Sequence, residues 1–221
     1  MYPTLIPGDK IICNKIPYGA RLYRKFDFSD HARLECMRTP GLGSISPADI
    51  IVFNFPFGYD DWAHIEFKIN YVFCKRVLGC PGDRIGISGG HCWNDRILRP
   101  VGIPENQELL RTTPDSLFTR AGCFTAIPLS DPTWNIKDMG PLTVPAKGLT
   151  IPLDSFNLAL YGHIIEYETG ERPLTAGTDY TFCHDWFFAL GDNSVESNDS
   201  RYWGFIPDDF IIGKVNRILY S

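Results

Sequence analysis

Long apolar runs are missing from these 221 residues. No stretch approaches the roughly 20 consecutive apolar residues that a membrane-spanning helix needs. The amino-terminal segment also lacks the charged, apolar and small-residue layout of a secretory leader. The polypeptide as given is therefore expected to carry no anchor within itself. Basic charge is scarce: the net charge is -5 and the one basic cluster lies within residues 21–25, so no nucleic-acid partner is expected. Metal-binding spacings are missing as well. The seven cysteines, at positions 13, 36, 74, 80, 92, 123 and 183, form no C-x-x-C pair, and the five histidines show no H-x-x-x-H spacing. Neither a zinc site nor a thioredoxin-type dithiol follows from them. No metal and no cofactor is expected, and no repeat or low-complexity segment interrupts the chain.

What the chain does have is turn formers and aromatics. Its 17 prolines and 20 glycines interrupt long helices, and an aromatic content of 14% favours strands. A mainly β protein follows. Strands are expected over residues 11–16, 50–55, 69–78 and 186–190, and again towards residue 220, where β-branched and aromatic residues dominate. From residue 85 to 184 the texture changes to short strand candidates, at 85–88 and 148–151, between proline-rich connections. One helix is expected there. Asp154 or Ser155 can cap it, Phe156, Leu160 and Ile164 recur at four-residue steps with Tyr161 and Ile165 beside them, and Thr169-Gly170 should end it. Residues 1–86 and 186–221 are thus read as one β core, and 87–185 as an inserted smaller domain containing one short helix.

Three stretches carry more chemistry than a fold requires. The chain opens on Met1-Tyr2-Pro3-Thr4-Leu5-Ile6-Pro7-Gly8-Asp9, with turn chemistry from its third residue, where an ordinary terminus would fray. Along residues 69–78, period-two alternation puts Tyr71, Phe73, Lys75 and Val77 on one face and Val72, Cys74, Arg76 and Leu78 on the other. Each cation sits among apolar neighbours. A lysine buried there loses solvation of its charged form, its pKa falls, and it becomes available as a neutral base near pH 7. Finally, residues 191–204 place three acids, three serines and Arg201 between two strands, far richer than a surface turn needs. A fourth stretch, the aromatic loop within residues 53–62, is expected to fold its rings back onto the core. The less favoured reading is a membrane-surface or substrate-facing edge; on either reading the loop is expected on the same side of the domain as any substrate groove.

Taken together and in this order, the Pro3-Thr4-Leu5 opening, Lys75-Arg76 with the Pro81-Gly82-Asp83 turn, and the loop from Gly191-Asp192-Asn193 to Ser200-Arg201-Tyr202-Trp203-Gly204 closely resemble type I signal peptidases, membrane-anchored Ser/Lys proteases of bacteria. Met139-Gly140-Pro141-Leu142-Thr143-Val144-Pro145 and residues 157–165 resemble the Bacteroidetes branch of that family. The resemblance implies a signal-peptidase/LexA-like Ser/Lys protease β fold and removal of signal peptides from exported preproteins after a small-x-small site. It makes Lys75 the general base and Ser197 the residue that orients it. Asp192, Asp199, Arg201 and Arg76 become structural support, and Met1, Leu5, Phe73 and Cys74 line the pocket for small substrate side chains. The implied partners are preprotein signal peptides and a membrane surface. The implied location is the outer side of the cytoplasmic membrane, and the implied state is a monomer. The family's nucleophilic serine stands immediately before the motif methionine, here Met1, so the 221 residues alone are expected to be inactive. Ser194-Val195-Glu196 also replaces the family's Arg-Asp-Asn, which puts part of the loop's ion pairing in question. The alternative function is a non-catalytic signal-peptidase-like module that binds extended peptides by strand addition. A self-cleaving repressor of the related Ser/Lys fold would need a DNA-binding segment and a scissile Ala-Gly or Cys-Gly near its start, for which there is no room.

Overall fold

The computed structural model describes residues 1–26, 36–58, 64–123, 125–127, 131–171 and 177–219. The chain begins with β1 (Lys10–Asn14), β2 (Arg21–Tyr23), β3 (Cys36–Arg38), β4 (Ile50–Asn54) and β5 (Val72–Gly79). It continues through β6 (Arg84–Ser88), β7 (His91–Asn94), α1 (Pro104–Thr112), α2 (Asp115–Arg120), β8 (Met139–Thr143) and β9 (Thr150–Pro152). After α3 (Ser155–Thr169) come β10 (Asp179–Thr181), β11 (Trp186–Leu190), α4 (Ser200–Trp203), β12 (Ile206–Pro207) and β13 (Ile211–Leu219). A six-stranded sheet, in the order β1-β13-β4-β5-β11-β12, dominates. A three-stranded sheet β7-β6-β8 and two-stranded pairs β9/β10 and β2/β3 accompany it. Among the described residues no helix is long and apolar enough to cross a membrane.

Alternation along the central strands builds an apolar core on each face of the large sheet. Trp186 and Phe188 of β11 enter one cluster with Leu78, Ile85, Phe205 and the α3 residues Leu160, Tyr161, Ile164 and Ile165. Phe187 and Ala189 enter the other with Ile51, Phe53, Phe55, Val77, Trp203 and Phe210. The continuous apolar run Trp186-Phe187-Phe188-Ala189 is thus a strand covered on both sides, each large side chain contributing about 1.5–3 kcal/mol on burial. The core fixes β5 between β4 and β11, with Ile51 opposite Lys75 and Leu190 opposite Arg76.

The expected helix is present and capped as read. Asp154 accepts from the Asn157 backbone N–H, and Gly170 closes the helix at φ 78°, the left-handed region that favours glycine. Near its end, Glu168 accepts hydrogen bonds from the Tyr180 hydroxyl, the Cys183 and His184 N–H groups and the Trp186 indole. This one carboxylate ties α3 to the start of β11. Among the described residues of 87–185 there are three helices rather than one short one. The two missed helices begin without a side-chain cap, at Ile103 and Pro114, and bury only Gln107, Leu110 and Phe118, so neither an N-cap residue nor an apolar stripe marks them. In the aromatic loop, Phe57 is folded into the core at 1% exposure. Tyr59 and Trp62, and with them the expectation that this loop sits on the groove side, lie outside the described residues.

Candidate active site

Lys75 lies mid-way along β5 and projects over the ring of Phe73, with Nζ 5.7 Å from the ring centroid. Its strand neighbour on the same face, Val77, is fully buried. Nζ donates to Ser197 Oγ at 2.9 Å. Burial lowers the Lys75 pKa from its ordinary value and is the largest influence on it. Asp199 pulls the other way, and Arg201 adds to the lowering. Ser197 reaches Lys75 because Gly191 lies beneath it. A Cβ at Gly191 would stand 2.0 Å from Ser197 Oγ and 3.3 Å from Lys75 Nζ. The close approach therefore requires glycine here.

One residue along β5, Arg76 points to the opposite face and makes a two-point contact with Asp192, through Nε and a terminal nitrogen at 2.7 Å each. Asp192 hydrogen bonding raises the Arg76 pKa above its ordinary value. The same guanidinium donates to the Ala48 carbonyl at 2.8 Å, and the Thr4 hydroxyl donates to the second oxygen of Asp192. Arg76, Asp192 and Thr4 thereby fasten the chain's opening turn to the last loop.

The other acid of that loop works underneath Lys75. Asp199 is wholly buried and pairs with Arg201 through two side-chain contacts of 2.9 Å. It also accepts from the backbone N–H groups of Gly191 and Arg201, and so caps the four-residue α4. Burial alone would raise the Asp199 pKa; the charge and hydrogen bonds of Arg201, with help from Lys75, outweigh it and hold the carboxyl below its usual range. Arg201 also donates to the Ser194 carbonyl at 2.9 Å, and Ser200 Oγ accepts from the Ala189 backbone N–H. The loop's ion pairs are therefore complete with Ser194-Val195-Glu196 in place. Glu196 accepts from the Asn193 side chain at 3.2 Å, and Val195 turns toward an apolar cluster. Arg76 pairs with Asp192 and leaves Asp199 to Arg201.

Of the remaining expected residues, Phe73 shares the Lys75 face of β5 and Cys74 lies on the other. Met1 and Leu5 are half-buried and joined by a turn hydrogen bond, Leu5 N–H to Met1 carbonyl at 3.1 Å. The Met1 amino group is close enough to Lys75 for its pKa to be lowered, first by burial and then by the lysine charge. Phe73 packs against Phe55 in a tilted contact at 4.6 Å between ring centroids, with Lys75 over its ring. Cys74 is half-buried on the Arg76 face, its thiol pushed up by burial to about 12, so it is inert rather than nucleophilic. Sequence reading passed over Thr4, Ala48, Gly191 and Asn106, whose side chain donates to the Asp192 carbonyl at 2.7 Å. Thr4 and Gly191 stood inside quoted motifs; Asn106 and Ala48 had no sequence signal, since they touch the site only through backbone carbonyls. Among the described residues, His184, Asp208 and Asp209 are the one group arranged as a cation could use it, and they take no part in this site.

The family model for signal peptidase, peptidase S26, matches residues 1–220. Among characterised proteins, the chain is similar to signal peptidase I of Buchnera aphidicola subsp. Baizongia pistaciae, at 30% identity over 97% of this chain and 65% of that protein. It is similar to signal peptidase I of Pseudomonas aeruginosa at 27% identity over 100% of this chain and 62% of that protein. The chain thus spans a little less than two thirds of the length of these relatives. A solved signal peptidase I from Enterococcus faecalis V583 aligns over 80% of this chain at 17% identity and a TM-score of 0.38, a likeness too slight to carry a conclusion.

Proposed function

The chain belongs to the signal peptidase family, peptidase S26, and from that premise we propose that it is the catalytic domain of a type I signal peptidase. It removes signal peptides from exported preproteins after a small-x-small site, using a serine nucleophile with Lys75 as general base. The observation that carries this reading is the partly buried Lys75, with its ammonium disfavoured by burial and its Nζ held at 2.9 Å by Ser197. A lysine kept neutral accepts the proton of a serine hydroxyl as that oxygen attacks the scissile carbonyl; it then returns the proton to the leaving amine and activates the water that hydrolyses the acyl-enzyme. Ser197 is a positioning residue in this scheme, and Asp192, Asp199, Arg201 and Arg76 hold the loop.

By the resembled motif, none of the loop serines is the nucleophile. Ser197 stands at hydrogen-bond distance from Lys75, where a serine can either orient the base or be activated by it, and the motif assigns it the first role; Ser200 Oγ accepts from the Ala189 N–H. The Met1 amino group feels the Lys75 charge, which supports the reading that the nucleophile is a serine immediately preceding Met1. The domain works at the outer surface of the cytoplasmic membrane, as a monomer, on preprotein signal peptides. The test compares the 221-residue polypeptide with one extended through its native upstream residues, assayed on a signal-peptide substrate in detergent. The extended enzyme should cleave, Lys75→Ala should abolish cleavage, and the 221 residues alone should be inactive. Cleavage by the 221 residues that Lys75→Ala abolishes would refute the placement of the nucleophile. Inactivity of the extended enzyme would refute the peptidase reading.

A further inference from the structure

The loop that carries Ser197 is held from outside the β core. Asn106, in the first turn of α1, donates from Nδ2 to the Asp192 carbonyl at 2.7 Å. At the bend of the loop, Val195 packs against a small apolar cluster formed by Leu110 of α1, Phe118 of α2 and Ile136. On the returning limb, the Tyr202 hydroxyl donates to the Cys123 carbonyl at 3.0 Å, and the Ile127 N–H donates to the Arg201 carbonyl at 2.7 Å. Between α1 and the loop lies a cavity of about 10 Å³, walled in part by Ile103, Gln107, Gly191, Asp192 and Ser194, room for about one water.

Lys75 itself is fixed by its strand, paired on one side with β4 and on the other with β11. The height of Ser197 above that strand is set elsewhere. Gly191 leaves no slack beneath the serine, and a rise of the loop by about an ångström would stretch a 2.9 Å hydrogen bond beyond useful geometry. It would also admit water to the ammonium. We propose that Asn106 and Val195 are positioning residues for Lys75: the accessory helices α1 and α2 clamp the loop down and thereby maintain both the Ser197 contact and the dryness around the lysine. This role rests on the reading of Lys75 as the general base. Asn106 supplies the one side-chain bond from α1 to the inner limb among the described residues. Val195 supplies the apolar seat at the bend, where the resembled motif carries charge.

The experiment is a proton titration of Lys75 by NMR in selectively labelled protein, its signal assigned by its loss in Lys75→Met, with hydrogen exchange of the Gly191 amide measured alongside. Asn106→Ala, Asn106→Asp, whose carboxylate cannot donate, and Val195→Asp should each move the Lys75 midpoint upward and speed Gly191 exchange on the order of tenfold. Val195→Ile and Glu105→Ala, the latter an exposed neighbour on α1, should change neither. If Val195→Asp does not fold, Asn106→Ala, which adds no charge near Lys75, gives the answer. A parent midpoint that is depressed and stays put in the folded variants overturns the positioning role alone. A parent midpoint at the ordinary lysine value overturns the general-base reading and the positioning role with it.

Discussion

Gly191→Ala concentrates the geometry of the site into one methyl group. The new Cβ would lie 2.0 Å from Ser197 Oγ and 2.6 Å from Ser197 Cβ. Rotating the serine hydroxyl relieves the first overlap but not the second, so the backbone of the loop has to move. Gly191 does not occupy the left-handed region, and the substitution therefore carries no φ penalty. It should instead gain about 0.4–1 kcal/mol from a stiffer unfolded chain. Against that stand about 1–3 kcal/mol of overpacking and about 0.5–1.5 kcal/mol for the lost Lys75–Ser197 hydrogen bond. The expected net effect is a destabilisation of about 1–3 kcal/mol, read by urea denaturation followed through tryptophan fluorescence. The Lys75 titration should shift upward as water reaches Nζ, and the extended enzyme should lose activity in parallel. A variant as stable as the parent, with an unmoved Lys75 titration, would show that Ser197 does not rest on Gly191.

Three further outcomes follow from the same structure. The Lys75 pKa is lower folded than unfolded, so between the folded value and about 10.4 the unfolded chain binds more protons and stability rises with pH; Lys75→Met should raise Tm at pH 6, with the gain shrinking toward pH 10, and a gain that does not vary with pH would contradict burial as the cause. Asp199→Ala leaves the buried Arg201 guanidinium without its partner and should cost about 3–5 kcal/mol in chemical denaturation. Because the Asp199 carboxyl is held below its ordinary value, its contribution is complete above about pH 3.9 and lost as pH falls through the folded value, so the parent's advantage over the variant should fade in acid. Gly162→Ala, at a buried position in the interior of α3 where no described residue outside the helix backbone and its chain neighbours comes within 4 Å of the added Cβ, should stabilise by about 0.5–1 kcal/mol in the same assay; a loss of stability would mean the space there is not open.

The parts of the fold legible in sequence were those with strong local chemistry. Trp186 to Ala189 read as a strand because it is a short, aromatic-rich apolar run, and α3 read cleanly because Asp154 and Gly170 bracket an apolar repeat. The short α1 and α2 were not legible, since most of their surface faces solvent and their first turns lack a capping side chain. At the site, Lys75 and Ser197 were paired through a family resemblance. Nothing local to either residue marks the other across 122 positions. The grip of Asn106 and Thr4 on Asp192 was invisible for a simpler reason: long-range contacts through a backbone carbonyl or a lone hydroxyl leave no pattern in the neighbouring residues.

The adjacency of Lys75 and Arg76 on one strand has a consequence for how faithfully β5 must be laid down. Successive residues face opposite sides, so the loop straddles the strand, giving Ser197 to one cation and Asp192 to the next. Both faces of β5 are apolar enough that a slip by a single residue against β4 would still bury a plausible surface. It would, however, present Arg76 to Ser197, and a guanidinium that never gives up its proton cannot take one from a hydroxyl. Such a misaligned molecule would be chemically dead even if it folded. The pairing of Ile51 with Lys75 and of Leu190 with Arg76 acts in effect as a proofreading mark, one that distinguishes two cations by where the strand is allowed to stop.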